Sequence, residues 1–307
     1  MRIAFVGLGN VGFPLAQNLL RAGHQMTLFD LDASRAAPLV GQGATLAPSL
    51  LAAAEGAEIA ITSLPNPAAV SAVVPGDQGL LSALSPGSLW IEMSTTDAED
   101  MRRYAAEAAE RQIDALEAPV TGGVNRAWTG EISILVGGEE AVFARYKTLL
   151  AAMGGEIEHI GPIGAASIVK VITNMLAFVH LWASGEALML AKRAGVDLAK
   201  AYHGIRISSG NSFAHETEGQ LVLNGSYNCA FTLALAMKDF NLALKLARET
   251  QTPLPVAELV EDIFTRAKDA YGDQAWSTMA VKLLEDQLDE PLRAPGFPAV
   301  LPGTGTR

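Results

Sequence analysis

The sequence is poor in cysteine and in basic residues, and both shortages narrow the possible functions. Cys229 is the only cysteine among 307 residues, so no internal disulfide can form, which fits a reducing, cytoplasmic compartment. Lysine and arginine number 22 against 33 acidic residues, for a net charge of −11. A binding surface for nucleic acid or for an anionic membrane is therefore not expected. The five histidines have no ligand spacing with one another or with Cys229, so no metal site is expected.

Long hydrophobic runs are also few, and the longest one carries ionisable residues. Residues 165–192 read as a single, almost continuously apolar helix, long enough to suggest a membrane span. Lys170, His180 and Glu186 argue against a span, because ionisable groups are costly at bilayer depth. We expect instead a soluble helix that is buried on most sides and joins two bodies of protein, with no membrane partner. Lys170 then either reaches out to water or faces a cleft where its charge is used, and the helix alone leaves both open.

The first thirty residues alternate between strand and helix patterns around a glycine-rich turn. Strand-like residues 2–6 lead into the turn formed by Gly7, Leu8, Gly9, Asn10, Val11 and Gly12. A helical pattern follows, and a second strand-like run over residues 25–29 ends at Asp30. In this context the glycines predict a dinucleotide site, with the pyrophosphate at the helix N-terminus and Asp30 accepting from a ribose 2′-hydroxyl. We expect NAD as the cofactor, with NADP as the second option.

The alternation continues and then gives way to helices. Further strand patterns cover residues 59–63, 89–92, 114–118, 132–136 and 156–160, and only helical patterns follow. The expected fold class is α/β: a Rossmann doubly wound sheet (1–162), an all-helical domain (163–288) entered through the long interdomain helix, and an irregular Pro/Gly-rich tail (289–307). Ligands bind at the carboxyl ends of such strands. Asn66, Thr95 and Thr121 follow strand ends, although ordinary turn chemistry explains Asn66 and Thr96 equally well.

Four motifs, spread over both predicted domains, resemble the β-hydroxyacid dehydrogenase family, which includes 3-hydroxyisobutyrate dehydrogenase and tartronate semialdehyde reductase. They are the glycine motif at 7–24, EAPVTGG at 117–123, Lys170 followed by Asn174 four residues later, and the pair Lys238-Asp239. Taken alone, that last pair would indicate an exposed charged helix face. The resemblance extends from Arg2 to about Leu288.

The resemblance implies an NAD(P)-dependent oxidoreductase that acts on a small carboxylic acid, and it assigns the residues. Thr121, Gly122 and Gly123 would hold the substrate carboxylate. Asn174 would hydrogen-bond the substrate, and Lys170 would act as general acid and base. The cofactor would be lined by Leu64, Pro65, Thr95 and Lys238. Family members are dimers or tetramers, so a homo-oligomer is expected.

The sequence departs from the family pattern in ways that leave the substrate open. Glu117 and Thr121 stand where the family usually has Asp and Ser, and Ala166-Ser167 replaces a common Gly-Asn. Two other functions are compatible with part of the pattern. An imine reductase-like enzyme usually carries another residue at the position of Lys170. A catalytically silent dinucleotide-binding regulator would keep Gly7, Gly9, Gly12 and Asp30 without needing Lys170.

Overall fold

The computed structural model describes residues 1–305, so the last two residues of the predicted tail lie outside the described part. The chain divides into two compact units. The N-terminal unit comprises Met1–Lys170 and the chain from Gly303 onward, and the helical unit comprises Val171–Pro302.

Within the described residues, the N-terminal unit contains a nine-stranded sheet. Its strands are β1 (Arg2–Val6), β2 (Gln25–Phe29), β3 (Thr45–Leu46), β4 (Ile59–Thr62), β5 (Leu89–Glu92), β6 (Asp114–Glu117), β7 (Val120–Thr121), β8 (Ile132–Gly138) and β9 (Gly154–Gly161). They lie in the order β3-β2-β1-β4-β5-β6-β8-β7, with β9 beside β8. The first six positions are parallel and have the strand order of doubly wound dinucleotide-binding folds. The predicted Rossmann sheet is therefore confirmed.

One edge of the sheet differs from the parallel arrangement expected from the sequence. β8 pairs antiparallel with both β6 and β7, whereas β9 returns parallel to β8. Antiparallel neighbours can be joined by short connections, whereas parallel ones need a long crossover. Only residues 122–131 connect β7 to β8, fewer than a parallel crossover needs, which favours the antiparallel pairing of these two strands.

Helices cover both faces of this sheet. They are α1 (Gly12–Arg21), α2 (Ala37–Val40), α3 (Leu50–Ala54), α4 (Pro67–Val73), α5 (Leu80–Ala83), α6 (Ala98–Glu110), α7 (Val124–Thr129) and α8 (Glu140–Ala151). Two hydrophobic clusters result, one containing Phe5 and Leu28 and the other containing Val6 and Trp90. Strands β1, β4 and β5 are buried almost throughout, which explains their uninterrupted apolar sequences.

The helical unit is built from helices, as the sequence predicts. α9 (Ala165–Arg193) begins in the N-terminal unit and continues into the helical unit. The helices that follow are α10 (Leu198–Arg206), α11 (Phe213–Asn224), α12 (Leu233–Glu249), α13 (Pro255–Tyr271) and α14 (Lys282–Leu288). Its core is organised around the mutually packed rings of Phe178, Phe240 and Phe264. Between α13 and α14 lies a 3-10 turn, Ser277–Ala280.

The tail contains no helix or strand between residues 290 and 305, as far as the structure describes it, yet part of it is firmly packed. Leu292 is fully buried in the core of the helical unit. Arg293 forms an ion pair with Glu285 and donates a hydrogen bond to the hydroxyl of Tyr227. These contacts hold the start of the tail against the helices.

α9 is long and apolar enough to cross a membrane when judged by length and composition alone. Only one third of its most apolar 18-residue window is buried within the chain, so the expectation of a helix buried on most sides is wrong for the single chain. A single helix of this kind is weak evidence for a membrane span, because core helices of other proteins have the same composition. Lys170, His180 and Glu186 remain the argument against a span.

Candidate active site

The three glycines of the turn after β1 are required for different reasons. Gly7 has a φ of +95°, and a Cβ there would lie 2.3 Å from the carbonyl oxygen of Ser63. A Cβ on Gly12 would lie 2.1 Å from the carbonyl oxygen of Gly7. A Cβ on Gly9 would meet no protein atom within 4 Å. Protein packing therefore explains Gly7 and Gly12, whereas the open space beside Gly9 fits the close approach of a bound pyrophosphate.

Asp30, at the end of β2, is tied to this turn. One carboxylate oxygen accepts from the backbone N–H of Leu8 at 2.6 Å, and the other accepts from Asp32 N–H at 2.8 Å. The acid is thereby fixed beside the glycine turn, where a cofactor ribose would lie. Arg35, the nearby cation, is paired with Asp32 at 3.4 Å and is partly exposed.

A buried acid connects the loops that follow β4 and β5. Glu92 is fully buried and accepts hydrogen bonds from the Thr62 hydroxyl and the Ser94 N–H, both at 2.7 Å. The Ser94 hydroxyl accepts from the N–H of Leu64, also at 2.7 Å. Burial raises the pKa of Glu92 to about 7, although the hydrogen bonds from Ser94 and Thr62 lower it. Glu92 thus fixes the loop that contains Leu64 and Pro65 to the loop that contains Thr95.

The polar residues of these two loops have different surroundings. Asn66 is the N-cap of α4, and its side-chain oxygen accepts from Ala69 N–H at 2.8 Å, which is the turn chemistry that the sequence also allowed. Thr95 is half-buried. Thr96 is buried, and its hydroxyl has no hydrogen-bond partner among the described residues. The assignment of Asn66 and Thr95 to the cofactor stays a prediction.

The predicted substrate segment begins in a strand and ends in two glycines with unusual backbone angles. Thr121 pairs with Ser133 in the β7–β8 ladder. Gly122 and Gly123 follow with φ of +115° and +91°, values that other residues rarely adopt. The side chain of Arg126, in α7, packs against Gly122: its Cδ lies 3.0 Å from the position of a Cβ there. Arg126 places a cation beside the segment predicted to bind a carboxylate.

Lys170 lies in the second turn of α9 and is only 7% exposed. This burial argues against a side chain that reaches out to water, because such a lysine would expose its ammonium group, and the functional role of Lys170 stays a prediction. The N-terminus of the same helix is held by a second buried acid, Glu117, which accepts backbone hydrogen bonds from Gly164, Ala166 and Ser167. Burial raises the pKa of Glu117, and these hydrogen bonds oppose the shift.

In the helical unit, Asn174 and Lys238 meet at one carboxylate. The side-chain N–H of Asn174 donates to Asp239 at 2.5 Å, and the ammonium of Lys238 lies 3.0 Å from the same group. Asp239 is fully buried, so the interpretation of Lys238-Asp239 as an exposed charged face is wrong. A carboxylate can only accept, so the contact orients the Asn174 amide with its carbonyl oxygen directed away from Asp239.

The sequence alone does not identify Glu92, Glu117 or Asp239 as structural anchors. Glu117 and Asp239 do stand inside the motifs that carried the resemblance, which is the only signal that could have indicated them. Glu92 ends a strand pattern and looks like an ordinary strand-terminal acid. Most of their hydrogen bonds join residues 30 to 65 positions apart, and one joins Glu92 to Ser94 nearby. Sequence spacing does not reveal such contacts.

The described residues offer little support for other chemistry. Within residues 1–305, no group of three His, Cys, Asp or Glu side chains could hold a metal ion. Burial raises the pKa of the Cys229 thiol, and the nearby carboxylate of Glu218 raises it further. A thiol with a raised pKa is a poor nucleophile.

Comparison with known proteins identifies relatives over both units. A family model described as the NAD binding domain of 6-phosphogluconate dehydrogenase matches residues 2–161. A second, described as NAD-binding of NADP-dependent 3-hydroxyisobutyrate dehydrogenase, matches residues 164–284. Both descriptions agree with the glycine turn and Asp30 in pointing to a nicotinamide dinucleotide.

Individual proteins match over most of their length. The chain is 36% identical to 2-(hydroxymethyl)glutarate dehydrogenase of Eubacterium barkeri, over 86% of this chain and 88% of that protein. It is 38% identical to 3-hydroxyisobutyrate dehydrogenase of Pseudomonas aeruginosa, over 86% of this chain and 91% of that protein. The solved structure of the Mycobacterium tuberculosis 3-hydroxyisobutyrate dehydrogenase with L-serine matches with a TM-score of 0.83 and 30% identity, covering 92% of this chain and 98% of that chain.

Proposed function

The chain belongs to the β-hydroxyacid dehydrogenase family, and from this membership we propose that it transfers a hydride between NAD and a small β-hydroxyacid or its semialdehyde. The observation that carries the proposal is Lys170, a buried lysine in the second turn of α9. Burying a lysine ammonium is costly, and a buried lysine is therefore a candidate for a functional role. A lysine used as a proton donor and acceptor requires such shielding from bulk water.

The cofactor would be held by residues that the N-terminal unit already fixes in place. The glycine turn, Gly7 to Gly12, would receive the pyrophosphate, with Gly9 left open toward it. Asp30 would accept from a ribose hydroxyl and would repel the 2′-phosphate of NADP, which favours NAD. The remaining contacts would come from Leu64, Pro65, Asn66, Thr95 and Lys238. When bound, the nicotinamide supplies the hydride acceptor or donor of the reaction.

The substrate would be a small, unphosphorylated acid whose carboxylate binds Thr121, Gly122 and Gly123. Two consecutive glycines let a carboxylate approach the backbone closely, and the Thr121 hydroxyl can donate to it. Asn174, oriented by Asp239, would hydrogen-bond the substrate near the reacting carbon. No role is assigned to a metal.

Lys170 would move the proton. In the reducing direction, negative charge develops on the carbonyl oxygen of the semialdehyde as its carbon gains the hydride. The Lys170 ammonium would stabilise this charge and donate its proton to that oxygen, giving the alcohol. In the oxidising direction the neutral amine would remove the hydroxyl proton while the carbon loses the hydride.

We also propose that the protein is a cytoplasmic homodimer or homotetramer. The helical unit leaves Ile172, Leu176 and Leu190 of α9 substantially exposed in the isolated chain. Apolar side chains along a long helix are typical of surfaces that pack against another copy. Light scattering at several protein concentrations measures the assembly directly.

A substrate panel tests the proposed function. The protein is assayed with 3-hydroxyisobutyrate, D-glycerate, L-serine and 2-(hydroxymethyl)glutarate, each with NAD and with NADP, and with 6-phosphogluconate and a cyclic imine as controls. We expect turnover of at least one small hydroxyacid and none of the controls. Turnover of the imine alone indicates an imine reductase, and NADH binding without any turnover indicates a silent regulator.

A further inference from the structure

Glu117 closes the N-terminus of the helix that carries Lys170. It is the last residue of β6 and is fully buried. One carboxylate oxygen accepts from the N–H groups of Gly164 and Ala166, at 2.7 and 2.8 Å. The other accepts from the N–H of Ser167 at 3.3 Å and from the Ser167 hydroxyl. Four donors thus converge on a single carboxylate, all from residues just before or within the first turn of α9.

These donors are groups that a helix cannot satisfy by itself. The first N–H groups of an α-helix have no partner inside the helix, and they form the positive end of its dipole. A buried carboxylate at this end satisfies the N–H groups and is stabilised by the dipole in return. Lys170 follows Ala166 by four residues, which is about one helical turn. Fixing Ala166 and Ser167 therefore fixes the position from which the Lys170 side chain starts.

The surrounding backbone is shaped for this contact. A Cβ on Gly137, in β8, would lie 2.2 Å from a Glu117 carboxylate oxygen, so only glycine leaves room for the acid there. Gly164 adopts a φ of +96°, and a Cβ there would lie 2.8 Å from the Arg102 guanidinium. Gly137 thus leaves room for the carboxylate, whereas Gly164 supplies the positive-φ turn before α9 and donates its N–H to the same carboxylate.

Glu117 also lies on the strand that leads to the predicted substrate segment. Only Ala118, Pro119 and Val120 separate it from Thr121. β6 is held in the sheet by its pairing with β5 and β8. The same residue is thus joined covalently to the carboxylate-binding segment and by hydrogen bonds to the helix of the proton-transfer lysine.

We propose that Glu117 is a positioning residue, which holds the first turn of α9 in register with the segment Thr121–Gly123 so that Lys170 meets the reacting oxygen of the substrate. The proposal rests on the proposed function, because it gives Lys170 a reaction to serve. A positioning role for Glu117 differs from a purely structural cap in one respect. Loss of the contact should reduce turnover in protein that is still folded.

Two variants of the contact and one matched control test it. Glu117→Gln keeps the size of the side chain but places an N–H₂ group against N–H donors, and Ser167→Ala removes one hydrogen bond with little risk to folding. The control is Ser49→Ala, which removes the N-cap of α3 in the same unit, where the Ser49 hydroxyl accepts from Ala52 N–H at 3.2 Å. For each variant we measure Tm, NADH affinity, kcat, and amide hydrogen exchange at residues 164–167.

We expect Glu117→Gln to lower kcat about 10- to 100-fold, since a displacement of about 1 Å costs up to that much in an enzyme. Ser167→Ala should lower kcat less, about 3- to 10-fold, in proportion to the single lost contact. Both should keep NADH affinity within about twofold of the wild type, because the cofactor residues are untouched. Both should accelerate hydrogen exchange at residues 164–167, because hydrogen bonds that hold these residues are lost. Ser49→Ala should lower the Tm and leave kcat unchanged.

Three results would overturn the inference. The first is a folded Glu117→Gln protein with wild-type kcat. The second is unchanged hydrogen exchange at residues 164–167 in both contact variants. The third is a kcat loss in Ser49→Ala that equals the loss in the contact variants, because it would show a general effect of instability. The wild type tests the proposed function separately. If it turned over no hydroxyacid, both proposals would be overturned together.

Discussion

The hydroxyl of Ser167 donates a hydrogen bond to the buried carboxylate of Glu117, and both residues differ from the family pattern that the sequence resembles. That pattern has the shorter Asp in place of Glu117 and the longer Asn in place of Ser167. The two departures lie 50 residues apart in the sequence but touch in the structure. We expect one departure to compensate for the other, because a longer acid meets a shorter partner.

A double-mutant cycle checks this compensation. Glu117→Asp shortens the acid by one methylene group, and Ser167→Asn crowds the fully buried site. We expect each single variant to lower kcat by about tenfold, and the double variant to lie within about threefold of the wild type, a coupling of about 2 kcal/mol. Losses that simply multiply in the double variant would show that the two departures are independent.

The stability of the N-terminal unit should depend on pH through Glu92. Its carboxyl keeps a proton up to a pKa of about 7 in the folded state, whereas in the unfolded chain the proton is lost near the ordinary value of 4.5. The stability that Glu92 contributes to the folded state is therefore fully present below pH 4.5 and is lost as the pH rises to 7. A shift of this size corresponds to about 3 kcal/mol of unfolding free energy.

Glu92→Gln removes this titration while keeping the shape of the side chain. Urea unfolding of both proteins at pH 5 and pH 8 should show the variant gaining stability relative to the wild type at the higher pH. Between pH 5 and pH 8, the unfolding free energy of the variant minus that of the wild type should rise by about 2 to 3 kcal/mol. An equal pH dependence in the two proteins would mean that Glu92 is ionised at both pH values.

Two glycines of the same turn should respond differently to substitution. Gly9→Ala adds a Cβ into open space, so Tm should change by no more than about 2 °C. NADH affinity should nevertheless fall about tenfold or more, because the methyl group would occupy the space for the pyrophosphate. Gly12→Ala, whose Cβ would lie 2.1 Å from the Gly7 carbonyl oxygen, should lower Tm markedly. If Gly9→Ala bound NADH normally, the pyrophosphate would have to lie elsewhere.

NAD should be preferred over NADP in kcat/KM. Asp30 is fixed beside the glycine turn, and Asp32 pairs with Arg35, the cation that could otherwise receive a 2′-phosphate. The exposed Asp32–Arg35 pair is weak, so its removal costs little. Asp32→Asn should therefore increase relative NADP use by about 3- to 10-fold without a large loss of NAD activity. Equal kcat/KM for both cofactors in the wild type would refute the preference.

Local patterns predicted most of the N-terminal unit because its signals lie within short stretches of sequence. The turn from Gly7 to Gly12 and the acid at Asp30 follow directly from strand, glycine and helix patterns. The helical unit was predicted only as a series of helices, because helical spacing alone does not separate a 3-10 turn such as Ser277–Ala280 from an α-helix.

The contacts of the candidate site could be predicted least. Spacing placed Asn174 one turn after Lys170, but it could not show that Asp239, 65 residues later, orients the amide. The burial of Asp239 likewise overrides the usual exposure of a charged pair on a helix. Such contacts depend on how distant elements pack, and a single sequence does not record that packing.

Substitution of Lys170 tests most directly whether this lysine transfers the proton. Lys170→Ala is compared with Lys192→Ala, a control on the same helix whose ammonium pairs with Glu290 at 3.6 Å. We measure kcat, NADH affinity and Tm on one preparation of each protein. Lys170→Ala should lower kcat by about 10²- to 10⁴-fold or more, with NADH affinity near normal and Lys192→Ala fully active. A folded Lys170→Ala protein with kcat near that of the wild type would contradict the account.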